Sequence, residues 1–490
     1  MMPLTTSATA VTVQEAQCPV NVLKLQNFPR ADLSKVSVKA EGDISSVFSS
    51  LEDGEINSST LPLTYAAIKK RLVTDPQAFK ASWLKLKKRS ADEIEKISKE
   101  GPAIIPSVEF SELQTMSNEK RKEVLKRGCV VVRNVIPRDE ARSYKFELEE
   151  YIKNNPQTAG FPNNAKVVYE LYWSKPQIKA RSNPRLIKTL NFMNKLWHAD
   201  DATEICLDEN LSYADRLRIR NPGDRLFTLG PHSDAGSIER WEDENYSKCY
   251  KDIWDGKWED YDAYNATHRV DANSSLYDSQ GNCTMFRTFQ GWVSMSEIHP
   301  GEGTIQFAPL IKEVTAYLLM NPFFKANNEI DLDSSTFPGA VPSKAQEYSP
   351  TMHPELQLDK IMTPAPTVYP GDMVFWHCDL IHAVDPECSE IMDSSVMYIP
   401  STPVCKNNTE YSFIQREAFL RKLVAPDFPG FPTSVGESKH IGCAEPSDVE
   451  RSGGLPALRN FALEALECKV DYSKGAKEAI ISFNKLLFGD

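Results

Sequence analysis

The stretch FTLGPHSDAGSIERW, residues 227–241, carries the reading on which the fold turns. A β-like run leads into His232 and Asp234, and Pro231 and Gly236 restrict and release the backbone on either side. On an extended strand, side chains two residues apart point the same way. An imidazole and a carboxylate presented together are two of the three donors of a 2-His-1-carboxylate site, which leaves one face of the metal open and suits Fe(II). Taken alone, the tripeptide reads as readily as a surface turn capped by Asp234.

The third donor must come from a distant strand, and YPGDMVFWHCDLIHAVDPE, residues 369–387, offers His377 and His382. Gly371-Asp372 makes a tight turn, the apolar run after it is a core strand, and His382 falls where that strand ends. His377 follows two aromatic residues inside the strand, where a buried, internally satisfied histidine is expected. His382 is the preferred ligand and His377 the alternative. The other histidines, His198, His268, His299, His353 and His440, have no partner at ligand spacing and are read as structural.

Around these two segments the chain divides by pattern. Residues 1–57 are polar with little periodicity and read as a flexible extension; residues 58–116 are helical. In SNEKRKEVLKRGCVVVRNVIPRDEA, Ser117 caps a helix, Gly128 ends it, CVVVRNV is a buried strand and Pro137 starts a second helix. Short aromatic and β-branched runs then dominate to about residue 410, interrupted by a loop-rich insertion at about 240–283. Residues 411–490 return to helices. The chain is therefore expected to be α+β, a β-sandwich or jelly-roll core at 117–410 with helical additions at both ends, the C-terminal one packed on the core.

Composition bounds the function. The 490 residues contain 41% hydrophobic and 25% charged residues, enough for a large core without disulfide or metal staples. A net charge of −12 argues against broad nucleic-acid or anionic-membrane binding. Ten scattered cysteines form no C-x-x-C pair, and no run approaches the ~18 apolar residues of a spanning helix. The opening lacks a basic region followed by an apolar one, so a cytoplasmic location with reduced thiols is expected; its Ser/Thr-rich, acid-poor character also fits a weak organellar leader.

Four segments in order resemble the Fe(II)/2-oxoglutarate-dependent dioxygenases, closest to the phytanoyl-CoA-dioxygenase-like branch and to a microbial subgroup of that superfamily. They are LKRGCVVVRNVIPRDEA (125–141), HSD (232–234), GWVSMSEIHPGEGTIQFAPLIK (291–312) and PGDMVFWHCDLIHAV (370–384). The resemblance implies a double-stranded β-helix, iron held by His232, Asp234 and His382, and oxidation of a small organic substrate by O2 with 2-oxoglutarate as cosubstrate. Hydroxylation is the expected outcome, with desaturation or cyclisation as variants. Asp234 argues against halogenation, which needs that ligand position vacated for chloride.

One departure stands out. The family binds the remote carboxylate of 2-oxoglutarate with an arginine shortly after the distal histidine, but the corresponding window, Met392 to Val396, holds no basic residue. Three accounts stay open. An arginine from another strand could serve, Arg287 first, then Arg218 and Arg220, because a bidentate guanidinium suits a carboxylate from any strand. Hydroxyls of Ser394, Ser395 or Tyr398 could serve instead, or 2-oxoglutarate is not used. Arg240 and Trp241, just after the metal motif, are candidate substrate contacts, and an amino-acid-like compound or a secondary metabolite is the expected substrate. Trp292 is read as core, and Gly301 and Gly303 as turn formers. A non-catalytic jelly-roll scaffold and a 2-oxoglutarate-independent cupin-type metalloenzyme are the rival functions.

Overall fold

The computed structural model describes residues 28–56, 61–225, 228–278 and 283–489. Residues 1–27 of the N-terminal extension, and Leu226 and Phe227 in the run read as a strand before His232, lie outside the described residues.

The entry to the core folds as its capping residues dictate. Asp75 caps the helix Pro76–Glu100 by accepting from the backbone N–H groups of Gln77 and Ala78. Ser117 accepts from the Lys120 N–H at the start of the helix Asn118–Arg127, which Gly128 ends at φ 69°. The strand Cys129–Arg133 follows, and its three valines are buried. Each contributes about 1.5–3 kcal/mol of burial. Pro137 then sits immediately before the helix Arg138–Asn154.

Two sheets carry the core of this mixed α+β chain. The larger has eight strands in the order Ser107–Glu109, Cys129–Arg133, Met373–His377, Phe289–Ser294, Ser394–Tyr398, Leu217–Arg220, Val168–Tyr169 and Gly160–Phe161. The smaller has five: Gln346–Glu347, Leu229–Ser233, His382–Val384, Ile305–Phe307 and Thr363–Pro364. The first pair in the larger sheet is parallel and its neighbours are antiparallel. Among the described residues neither sheet closes into a barrel. From Leu217 to Tyr398 the chain passes repeatedly from one sheet to the other, as its short strands with long connections require. The sheets meet through aromatic rings: Trp376 of the larger lies 5.7 Å from Phe307 and 5.1 Å from His382 of the smaller, centroid to centroid.

The insertion contains the short helices Glu239–Glu242, Glu244–Lys248 and Lys251–Trp254. C-terminal helices Lys406–Arg421, Pro446–Asn460 and Lys474–Phe488 contribute to a second apolar cluster. The middle one begins at Pro446, where Glu445 and Asp448 form a reciprocal capping arrangement, breaks at Gly454 and stops at Asn460. No described helix is long and apolar enough to cross a membrane.

Residues 28–56 of the extension are built onto the core. Ala345 donates its N–H to the Val47 carbonyl at 2.9 Å, and the Ser49 hydroxyl donates to Glu347 at 2.6 Å. These bonds pin the segment to the edge of the smaller sheet and bury Val47 and Phe48.

Candidate metal centre

His232 and His382 stand directly opposite each other on adjacent antiparallel strands, with ring centroids 4.1 Å apart. Each ring is fixed by its own strand. His232 Nδ1 donates to the Gly230 carbonyl at 2.7 Å and His382 Nδ1 to the Leu380 carbonyl at 3.0 Å. A carbonyl oxygen can only accept, so the proton belongs on Nδ1 and the Nε2 lone pair faces outward in the neutral ring. Asp234 completes the set: its Oδ1 lies 3.5 Å from His232 Nε2 and its Oδ2 3.3 Å from His382 Nε2. Ligand atoms of all three fall within 4.8 Å of one another.

The turn after the motif has a steric cause. Gly236 adopts φ 80°, and a Cβ there would approach the Ser274 carbonyl oxygen and the Tyr246 ring to 3.3 Å. Phe48 meets the His232 ring edge-on at 4.9 Å. Burial, and then the neighbouring His382, push His232 down to about 4, so it is neutral at physiological pH. Burial opposes the charge on Asp234, but His232, His382 and Arg287 outweigh it and hold the carboxyl well below its ordinary range. A neutral His232 and an ionised Asp234 are in the protonation states a divalent metal requires.

The three side chains open into a cavity with about 1210 Å³ of empty space, its open mouth included. One face of the larger sheet forms a wall of it. Trp376 pairs with Gln290 across neighbouring strands, Trp292 with Tyr398, and Val396 with Arg218. Of these, Trp376, Gln290, Trp292, Tyr398 and Arg218 line the cavity. Trp376 Nε1 and Gln290 Nε2 are buried donors without a hydrogen-bond acceptor among the described residues. Ile44, Val47, Phe48, Leu229 and Val384 make an apolar side.

The arginines singled out in the sequence part company here. Arg287 and Arg218 both line the cavity. Arg287 is 8% exposed and makes no hydrogen bond or ion pair with the described residues. Its charge is nonetheless sustained: burial opposes it, and Cys283, Tyr213, Asp234 and Asp215 outweigh that. Arg218 donates from Nη2 to the Gly303 carbonyl at 3.1 Å and to the Ser394 hydroxyl at 3.5 Å. Arg220 stands outside the lining, bound to Asp224 Oδ2 at 2.7 Å and to the carbonyls of Asp385 and Pro386 at 2.8 and 3.1 Å. Arg240 and Trp241 also lie away from the cavity. Arg240 is wholly buried, donates to the Gly236 carbonyl and has Nε 3.7 Å from Asp379. Trp241 donates from Nε1 to the Leu319 carbonyl at 3.0 Å.

His377 has both ring nitrogens occupied. Nε2 donates to the Ala263 carbonyl at 2.8 Å, and Nδ1 accepts the Asp379 N–H at 3.0 Å. The ring stacks on Trp197 at 4.7 Å. His198, His299, His353 and His440 bond to protein groups elsewhere. The nine cysteines among the described residues are free thiols. Sequence reasoning missed Phe48, Gln290 and Trp376. Phe48 sits in a short polar segment with no periodicity, whereas Gln290, in a run of apolar strand residues, was a legible exception.

Comparison with known proteins now bears on the chain. The Gig2-like family model matches residues 59–460. An uncharacterised Escherichia coli K12 protein, YbiU, is 30% identical over 352 residues, covering 69% of this chain and 82% of its own length. The crystal structure of Candida albicans GlcNAc inducible gene 2 superposes with TM-score 0.78 at 32% identity, covering 88% of this chain and 95% of that one. A Salmonella typhimurium LT2 protein, provisionally described as an oxidoreductase, superposes with TM-score 0.71 at 29% identity, covering 82% and 99%.

Proposed function

The chain belongs to the Gig2-like family, and from that premise and the geometry of the site we propose that it is a non-haem Fe(II)- and 2-oxoglutarate-dependent oxygenase of a small organic substrate. The observation that carries this reading is the pair of imidazoles whose Nδ1 atoms are tied to their own strands while both Nε2 atoms converge on Asp234. Two neutral nitrogens and one carboxylate are the donor set of an open Fe(II) site, and the cavity beside them leaves room for further ligands. Bound iron would supply the activation of O2 against 2-oxoglutarate.

The strand order supports a double-stranded β-helix as the frame. Leu217–Arg220, Ser394–Tyr398, Phe289–Ser294 and Met373–His377 are consecutive in one sheet, and Leu229–Ser233, His382–Val384, Ile305–Phe307 and Thr363–Pro364 in the other. The His-x-Asp lies at the end of the second of these eight strands in chain order, and His382 opens the seventh. Three of the four segments that resemble the dioxygenases, at 232–234, 291–312 and 370–384, fall on this frame, and the first, at 125–141, supplies the strand Cys129–Arg133 beside Met373–His377.

Within the oxygenase reading, Arg218 grips the remote carboxylate of 2-oxoglutarate. It sits across from Val396, in the window that lacks the expected arginine, and its guanidinium reaches Ser394. The same charge is thus delivered from the neighbouring strand. Gln290 Nε2 and Trp376 Nε1 offer the cosubstrate two further donors, each of which leaves a buried polar group unsatisfied without a ligand. The apolar residues opposite exclude water and seat the substrate.

Iron-loaded protein titrated with 2-oxoglutarate tests the assignment. Arg218→Gln is expected to weaken 2-oxoglutarate binding by at least about tenfold, with iron stoichiometry unchanged, since a charge-assisted pair contributes more than about 1.4 kcal/mol. Unchanged 2-oxoglutarate affinity would contradict it.

A further inference from the structure

We propose that Arg287 is the substrate-binding cation of this site, and that the substrate is a monocarboxylic acid with an apolar or aromatic body. The inference rests on the oxygenase reading and adds to it the class of molecule oxidised.

Three observations lead there. First, Arg287 is a buried arginine whose guanidinium has no hydrogen bond or ion pair among the described residues, although it lines the metal cavity. Buried cations are ordinarily paired, because desolvation costs several kcal/mol per ion. A guanidinium held open at a cavity wall is arranged for an anion that arrives with the ligand, and its planar fork matches a carboxylate with two parallel bonds.

Second, Arg287 stands between two cavities. A smaller one, with about 420 Å³ of empty space, shares Arg287 and Cys283 with the metal cavity and is also lined by Ala235, the residue after the metal ligand Asp234. Arg269 also lines this smaller cavity, but its charge is met by Asp379. A dianion such as a phosphate would call on a second uncommitted cation. A single open guanidinium suits a carboxylate monoanion.

Third, one side of the metal cavity is fitted for an uncharged body. Ile44, Val47, Phe48 and Leu229 form its apolar side, and Phe48 rests against the ring of His232. An acid anchored at Arg287 would lay its apolar portion along these residues, beside the metal ligands. Arg218, on the Leu217–Arg220 strand, is left to the cosubstrate, so the site separates two carboxylates by giving each its own arginine.

Calorimetry on the Fe(II)- and 2-oxoglutarate-loaded protein, kept anaerobic, reads this directly. The probes are acetate, phenylacetate and 3-phenylpropanoate, with phenylacetamide as the uncharged counterpart of phenylacetate. The expected result is that at least one aromatic acid binds at least ten times more tightly than the amide. Arg287→Gln should lose at least tenfold for that acid while keeping its 2-oxoglutarate absorption band and melting temperature, and Arg287→Lys should fall between. Equal binding of acid and amide, failure of every acid to bind, or unchanged binding in Arg287→Gln overturns the proposal. If Arg287→Gln instead loses the 2-oxoglutarate band, Arg287 holds the cosubstrate; this inference then falls while the oxygenase reading stands. If the wild-type protein shows no such band, the oxygenase reading falls, and the same acid titration on metal-free protein decides the role of Arg287.

Discussion

His377, Cys378 and Asp379 gather their potential ligand atoms as tightly as His232, Asp234 and His382 do, each group within 4.8 Å. What separates them is where their lone pairs and charges go. In the first group His377 spends both nitrogens on the backbone, and Asp379 is taken by Arg269 and Arg240 and by the Tyr250 hydroxyl, which donates to it at 3.1 Å. Around His232 and His382 the backbone claims only the Nδ1 atoms, and three donors converge on a cavity. Proximity of ligand-type residues is thus shared by a structural knot and a candidate metal site; the vacancy of the donors distinguishes them.

The sharpest way to break this comparison is to remove one histidine from each group. His382→Ala should abolish stoichiometric Fe(II) binding, a loss of at least about a hundredfold in affinity for a site reduced to two donors. His377→Ala should bind iron as the wild type does, and equilibrium dialysis of both variants would expose a reversed assignment. The His377 group should reveal itself through stability instead. Asp379→Asn leaves two buried guanidinium groups uncompensated and is expected to cost about 3–5 kcal/mol, read by urea unfolding. A cost below 1 kcal/mol would mean the knot is not structural.

Acid sensitivity follows from the same buried rings. His377 and His353 are both pushed down by burial to about 4, below their ordinary value of 6.5. Between those values the unfolded chain binds protons that the folded chain refuses. Their contribution is therefore intact above pH 6.5 and is lost as pH falls toward 4, at up to about 1.4 kcal/mol per unit for each ring. Glu437, pushed up by burial to about 7, acts in the opposite sense over part of this window. Urea midpoints of the metal-free protein should fall between pH 6.5 and 4, and His377→Gln should flatten the slope. A slope unaltered by that substitution would show that His377 titrates normally. The smallest expected effect belongs to Phe48 of the extension. Phe48→Ala should leave iron stoichiometry intact but speed its removal by a chelator severalfold, the scale of one lost aromatic contact at about 0.5–1.5 kcal/mol. An unchanged rate would confine Phe48 to packing.

The sequence made parts of the core legible, because HSD, the Trp292 run and the LIHAV segment fall on the strands Leu229–Ser233, Phe289–Ser294 and His382–Val384 or at their ends. It also preferred His382 to His377, on position alone; that both nitrogens of His377 are hydrogen-bonded depends in part on the Ala263 carbonyl, distant in sequence. Arg240 and Trp241 show the limit of adjacency. They follow His232 and Asp234 in sequence, yet the turn at Gly236 sends them into the core. Arg287 and Arg218 show the converse: 69 residues apart in sequence, one just before the strand Phe289–Ser294 and the other on Leu217–Arg220, they line one cavity. Proximity of that kind is set by tertiary packing, which no local pattern encodes.

Anaerobic titration of the purified protein with Fe(II), followed by 2-oxoglutarate, tests the central claim most directly. One equivalent of iron should bind, and 2-oxoglutarate should then raise a metal-to-ligand absorption band in or near the visible that His382→Ala cannot produce. Iron binding without that band, or no iron binding at all, would contradict the account.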